Sequence, residues 1–322
     1  MAIESSAHTL GVGIVKNGKV LANSSAMYKI LDKGIIPAKV AEYHSKNVGL
    51  VIKRALKEAG ISPNGIEAIG YTKGPGLGPC LRIAQVAART IALLQSIPIF
   101  PVNHAVAHIE IAKRLSKIKN PLALYVSGGN SQIIGLVEEP FRHYHIYGET
   151  FDVGVGNMLD SFARAARLKP AWGSSVAKLA ERGHYIPMPY TVKGMDFTFT
   201  GLQTNAIKML EEFDHRDVAF SLQETAFAML AEATERALLL TKSTGLILCG
   251  GVAQSAKLRK MLSTMAGLHK AGFYVAPNEY NTDNGAMIAL VTELMLKNQQ
   301  PTPPKRCTID QKYRVDKVEI TW

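Results

Sequence analysis

Three cysteines in 322 residues, Cys80, Cys249 and Cys307, are too few and too dispersed for a disulfide framework or a Cys-x-x-Cys metal site. That usage fits a reducing, cytoplasmic compartment. No apolar run is long enough to span a bilayer, so no membrane partner is expected. The opening Met1-Ala2-Ile3-Glu4-Ser5-Ser6 has neither a basic nor an apolar segment of the kind a signal peptide needs. Acidic residues are scarce, 26 against 37 lysines and arginines, which leaves a formal charge of +11. A polyanionic partner, RNA or DNA, fits that balance, although basic character also serves solubility. Missing too are the G-x-x-x-x-G-K-[ST] loop and the G-x-G-x-x-G fingerprint, the two commonest phosphate-binding signatures.

What the chain does contain is a soluble-protein composition, 47% apolar, and enough length for two domains. Its most informative stretch is Val102-Asn103-His104-Ala105-Val106-Ala107-His108-Ile109-Glu110. The β-branched run before it, from Ile97 to Val102, reads as a strand. Asn103 is suited to cap a helix, and Ala105 and Ala107 favour one. Residues four apart lie on one helix face, so His104 and His108 can share a metal ion. They can equally be two surface histidines. A zinc protease is disfavoured, because H-E-x-x-H requires glutamate where Ala105 stands, and Glu110 would point elsewhere.

Periodicity suggests a duplicated α/β architecture with a cleft between the copies. A hairpin is expected around Lys16-Asn17-Gly18-Lys19, then a helix over 38–60, a short strand over 66–71, a helix over 81–95 and the histidine helix. The pattern restarts with strands at 122–126, 132–137 and 143–147 and helices at 156–168 and 175–183. A long helix follows, capped by Asp217, then a buried strand at 245–249 and a helix from about 283 to 297. The tail 317–322 alternates like an edge strand. The lobes are expected at 1–118, joined by 300–322, and at 119–299, with an insertion near 185–204.

Two glycine turns, Ser127-Gly128-Gly129-Asn130 and Gly250-Gly251-Val252-Ala253, follow buried strands, where main-chain N–H groups can meet phosphate. They are expected to face each other from the two lobes; tight turns are the plainer alternative. Gly74-Pro75-Gly76-Leu77-Gly78-Pro79 can be only a stiff turn. Asp160 lies early in a helix, where it can serve the helix start or ribose hydroxyls. Asp283 is either a cap or an oxygen ligand. Tyr125 ends a strand and is by default core.

Together these segments are specific. Glu4-Ser5-Ser6-Ala7-His8-Thr9, Gly74 to Arg82, Val102 to Glu110, Tyr125 to Asn130, Gly148-Glu149-Thr150-Phe151-Asp152, Asp196 to Leu202 and the final Val318 to Trp322 occur in order. The chain resembles the archaeal and eukaryotic tRNA N6-adenosine threonylcarbamoyltransferases, the catalytic subunits of the KEOPS complex. The resemblance implies the actin/Hsp70/sugar-kinase fold, two ribonuclease-H-like lobes with a nucleotide between them. It implies one divalent metal, iron or zinc ahead of magnesium, held by His104, His108, Tyr125 and Asp283. Around an adenine nucleotide or threonylcarbamoyl-adenylate it implies Tyr125, Val126, Ser127, Gly128, Gly129, Asp160, Gly173 and Ser255. His8 is the candidate base. The implied partners are tRNA, an atypical protein kinase subunit, a small dimerisation subunit and a kinase-binding subunit. Two positions depart from the family text: Ala177 stands where a ribose-contacting glutamate is usual, and Ser255 where an asparagine is usual. A small-molecule kinase on the same fold is the competing class, but it would need an aspartate base and no histidine pair. A nucleotide-gated scaffold without chemistry is the third.

Overall fold

The computed structural model describes residues 1–29 and 34–322. The first part of the chain runs β1 (Ala2–Glu4), β2 (Thr9–Lys16), β3 (Lys19–Met27), α1 (Pro37–Ala59), β4 (Ile69–Gly74), α2 (Gly78–Gln95), β5 (Ile99–Asn103) and α3 (His104–Ser116). Next come β6 (Leu122–Val126), β7 (Ser131–Val137), β8 (His143–Glu149), α4 (Val155–Ala165), α5 (Gly173–Ala180), β9 (Val192–Lys193), β10 (Asp196–Phe197) and α6 (Thr200–Met209). The chain continues through α7 (His215–Thr241), β11 (Gly245–Cys249), α8 (Ala256–Leu268), β12 (Gly272–Val275), α9 (Asn278–Asn281) and α10 (Gly285–Asn298).

The chain divides into two compact units, residues 1–111, 137–144 and 282–322 in the first and 112–136 and 145–281 in the second. In the first, Asn17 and Gly18 take φ of 53° and 72°, which turns β2 back on β3 with the twist that paired strands require. The sheet order is β3-β2-β1-β4-β5, with β1 antiparallel to β2 and parallel to β4, and β4 parallel to β5. Ile3, Leu10, Val12, Ile69, Tyr71 and Ile99 pack here with Val51, Ala84 and Ala88 of the covering helices. In the second unit the order is β12-β11-β6-β7-β8. Read from the hairpin inward, both sheets place the hairpin strands first, then the opening strand, then two parallel returns. The duplication expected from the pattern is therefore present in the topology. Leu124, Val126, Leu246 and Leu248 form this second core with Phe162, Phe197, Phe199 and Phe227.

Three local expectations change. Residues 282–299, assigned from the pattern to the second lobe, group with the first unit, because α10 packs its buried Ala286, Met287, Leu290 and Val291 on β1–β5. That packing needs glycine. A Cβ on Gly13 would lie 2.2 Å from the Gly285 carbonyl carbon, and one on Gly285 would lie 2.1 Å from the Gly13 nitrogen. The cap of α7 is Asp214, whose carboxylate accepts the Arg216 N–H, whereas Asp217 sits one turn in and accepts the His184 N–H at 2.7 Å. The stretch 185–204, expected as an insertion, holds the β9–β10 ribbon and the start of α6. The tail forms a 3₁₀ turn at Val315–Lys317 and one bridge, Glu319 to His143, rather than a strand.

Candidate functional site

Asn103 ends β5 and caps α3. Its Oδ1 accepts the Val106 N–H at 3.1 Å, and its Nδ2 donates to the Tyr313 carbonyl at 2.9 Å. The helix therefore starts at His104, and His108 follows one turn later. The two imidazole centroids are 4.7 Å apart at 81°. Both residues are buried, His104 5% and His108 1% exposed, which removes the surface-histidine reading. Glu110 is buried as well and accepts the Tyr144 hydroxyl at 2.6 Å, away from any protease-like role.

Asp283 resolves between its two readings in a similar way. The cap of α10 is its neighbour Asn284, whose Oδ1 accepts the Met287 N–H at 3.0 Å. Asp283 is left for the histidines: its Oδ1 lies 3.4 Å from Nε2 of both His104 and His108. A hydrogen bond of that length is weak. Ligand atoms around a tetrahedral ion bound at about 2.1 Å stand about 3.4 Å apart, so the spacing is that of ligands sharing one ion. Among the described residues, one atom from each of His104, His108 and Asp283 lies within 4.8 Å of the others.

The electrostatics agree with a cation. Glu4, wholly buried, places Oε2 3.0 Å from Nδ1 of His104. With neutral imidazoles the cluster holds two carboxylates and no cation of its own, an arrangement that burial penalises. Burial would raise the Asp283 carboxyl, but the adjacent His104 and His108 hold it well below the ordinary range. Burial pushes the Glu4 carboxyl up too, yet the His104 interaction and the Ser6 side chain outweigh it and leave it lowered. Burial depresses the His108 imidazolium, which favours the neutral, metal-binding form. The donor set of two imidazoles and a carboxylate therefore fits a divalent ion. His8 lies between β1 and β2, its carbonyl accepting the Tyr28 N–H at 2.9 Å, and is not among the three ligand atoms.

The other expected residues belong to the second unit, and so does Tyr125. Tyr125 is fully buried near the end of β6, in register with Cys249 of β11. Both glycine turns lie in this unit rather than one in each lobe, because β11 returns parallel to β6 in the same sheet and their C-terminal ends are neighbours. Such an edge, where a sheet changes direction, is a common ligand position. The Ser127–Asn130 turn closes through Ser127 N–H to the Asn130 carbonyl at 2.8 Å and Asn130 N–H to Ser127 Oγ at 3.1 Å. It is clasped from behind: Gly156 N–H reaches the Ser127 carbonyl and Asn157 N–H reaches the Gly128 carbonyl. A Cβ on Gly154 would lie 2.4 Å from the Gly128 oxygen, whereas one on Gly129 would meet nothing within 4 Å. The loop is tight on one face and open at Gly129. Val126 is buried beside it, its carbonyl oxygen 2.3 Å from where a Gly250 Cβ would be.

Asp160 and Gly173 meet directly, Gly173 N–H donating to Oδ1 at 2.8 Å. Ser255 caps α8, accepting the Leu258 N–H at 3.4 Å, a role the pattern did not assign to it. Asp152 is a structural anchor that the sequence pattern did not mark. Its carboxylate accepts N–H groups of Val153, Phe199 and Thr200, tying the segment behind the Ser127 turn to the start of α6.

A family model described as tRNA N6-adenosine threonylcarbamoyltransferase matches residues 19–290. A protein of that name from Thermococcus sibiricus is 44% identical over 325 residues, covering all of this chain and 99% of its own length. A "probable bifunctional tRNA threonylcarbamoyladenosine biosynthesis protein" from Thermoplasma volcanium is 42% identical over the whole chain, which spans 61% of that protein. Among solved structures, HypF of T. kodakarensis matches with a TM-score of 0.65 at 14% identity, over 92% of this chain and 48% of that one. A ROK family glucokinase from Streptomyces griseus matches at 0.50 and 12% identity, over 91% and 97%. The last two likenesses bear on the fold alone and agree with a two-lobed α/β architecture.

Proposed function

The chain belongs to the tRNA N6-adenosine threonylcarbamoyltransferase family and is a transferase, and from that premise we propose that it moves the threonylcarbamoyl group of threonylcarbamoyl-adenylate onto tRNA. The acceptor is the exocyclic amine of the adenosine 3′ of the anticodon, in tRNAs reading codons that begin with A. The amine nitrogen attacks the carbamoyl carbon, the bond from that carbon to the phosphate oxygen breaks, AMP leaves and the amine gives up one proton. His104, His108 and Asp283 would hold one divalent ion, with Tyr125 a fourth ligand on the strength of the resemblance. Imidazole and phenolate suit iron or zinc better than magnesium. When bound, such an ion supplies Lewis acidity toward an acyl oxygen on which charge grows.

The second unit's residues carry the leaving nucleotide in this reading. The Ser127–Gly128–Gly129 turn, open at Gly129, suits a phosphate. Asp160, steadied by Gly173, suits the ribose hydroxyls. Val126 precedes that turn in the chain, Ser255 follows the Gly250–Ala253 turn at the end of the neighbouring strand β11, and His8 remains the candidate base. The +11 charge supports a tRNA partner. No helix among the described residues is long and apolar enough to cross a membrane, and the site of action is taken to be the cytoplasm. The "bifunctional" name of longer relatives supports coupling to a second activity, and the resemblance assigns a kinase subunit, a dimerisation subunit and a kinase-binding subunit as partners.

The observation that carries the reading is the convergence of the buried His104 and His108 with the partly buried Asp283. Metal content and transfer of labelled threonylcarbamoyl to tRNA, compared between wild type and the double variant H104A/H108A, test it. Loss of both is expected. Transfer at the wild-type rate by a metal-free double variant would refute the metal's role, and ATP-dependent phosphorylation of a small molecule without tRNA modification would favour the kinase class instead.

A further inference from the structure

We propose that Glu4 is a positioning residue: its carboxylate holds His104 with Nδ1 protonated and Nε2 presented to the ion shared with His108 and Asp283. The inference rests on the metal reading above but concerns a residue that is not a ligand. Glu4 Oε2 lies 3.0 Å from Nδ1, on the opposite side of the ring from the Nε2 that faces Asp283. An ionised carboxylate is an acceptor only, so Nδ1 must carry a proton, which in the neutral ring leaves the lone pair on Nε2.

The carboxylate is itself held in place. Its Oε1 accepts the Ser6 N–H at 2.5 Å, and its Oε2 also accepts the Thr72 hydroxyl at 2.6 Å. The loop that carries it is braced in turn. Ser5 Oγ donates to the Cys80 carbonyl at 2.8 Å, and Leu77 N–H donates to the Ser6 carbonyl at 2.8 Å. Gly76 makes that second brace possible, because a Cβ there would lie 2.7 Å from the Ser6 oxygen. The stiff glycine–proline turn of the sequence thus acts as a buttress for the end of β1. A buried, wholly solvent-excluded glutamate with three donors and no lysine or arginine among them is costly as a packing element. It is intelligible as the outer half of a carboxylate–histidine–metal arrangement, in which the carboxylate fixes the ring and raises its basicity.

The test is a zinc titration of chelator-stripped protein against a chromogenic competitor, with wild type, E4Q and T72V, alongside thermal unfolding of each metal-free form. Glutamine keeps one acceptor oxygen but loses the negative charge and turns an N–H₂ toward either His104 or the Ser6 N–H, so E4Q is expected to bind zinc roughly 10–100-fold more weakly. T72V, which keeps the charge and removes one donor to Oε2, is expected to lose a few-fold. The metal-free E4Q protein is expected to unfold no earlier than wild type, since a buried charge has gone; a purely structural role would lower that temperature and leave zinc affinity alone. Independently of any variant, ¹⁵N-histidine spectra of the zinc-loaded wild type should show His104 as the Nδ1–H tautomer. Wild-type zinc affinity in both variants, or an Nε2–H His104, would overturn the inference while leaving the metal reading intact. A wild type that takes up no zinc or iron would remove both.

Discussion

The approach of Gly13 to Gly285 links the fold to the metal ligands and makes a sharp experiment. Replacing Gly13 by alanine puts a Cβ 2.2–2.3 Å from the Gly285 carbonyl carbon and oxygen and the Ala286 nitrogen. All three are backbone atoms, so no side chain can rotate away. Ordinary contact begins near 3.4 Å, which requires the first turn of α10 to withdraw by about 1 Å if overpacking is relieved by movement. Asp283 lies two residues before Gly285, and its Oδ1 stands 3.4 Å from both imidazoles. The displacement therefore shifts the carboxylate relative to the histidines. We expect about 1–3 kcal/mol lower stability for the metal-free protein, the usual range for overpacking. Zinc affinity should also fall by at least tenfold, since one of the ligands is misplaced, corresponding to about 1.4 kcal/mol or more. Urea unfolding of the metal-free form and competitive zinc titration read the two effects separately. G13A with an unchanged unfolding midpoint and an unchanged zinc affinity would show that α10 is not seated as described.

Other outcomes follow from individual contacts. The N–H groups of Phe199, Thr200 and Val153 outweigh burial and lower the Asp152 carboxyl from 3.8 to about 2. Because the folded value lies below the unfolded one, its stabilisation is complete above about pH 4 and lost as pH falls through 2; the difference in unfolding temperature between wild type and D152N should shrink to nothing across that window. Ser255→Ala removes the cap of α8 and is expected to cost about 0.5–1 kcal/mol, at the low end because the bond is 3.4 Å long. Ser255→Asn should retain that stability, and a larger loss in nucleotide affinity than in stability for the alanine variant would mark Ser255 as a ligand contact as well. Binding of tRNA should weaken steeply with salt, with log K falling linearly in log salt; a flat response in a filter-binding assay would show that the +11 charge does not drive the encounter.

Much of the fold was legible because its signals are local. Asn17-Gly18 specifies the hairpin, alternation marks β2 and β7, and the buried runs at 122–126 and 245–249 mark central strands. The cap of α7 was misread by one turn because Asp214 and Asp217 are both plausible N-terminal acids, and only the Arg216 N–H distinguishes them. The two glycine turns were assigned to different lobes because a strand's neighbours leave no trace in its own residues. Glu4 and Thr72 escaped notice as partners of His104 for the same reason: a glutamate ending a three-residue strand has no periodicity of its own.

The four-residue spacing of His104 and His108, together with the Asn103 cap, determined from sequence alone that two imidazoles share one helix face. Whether that face is buried, and what else reaches it, was decided only in three dimensions. Asp283 comes from 175 residues beyond His108, and Glu4 from 100 residues before His104. Their meeting depends on α10 lying against β2 where two glycines let the backbones touch, and on β1 pairing beside β4. Contacts at such separations arise from the packing of a whole sheet, and no short stretch of the chain encodes them.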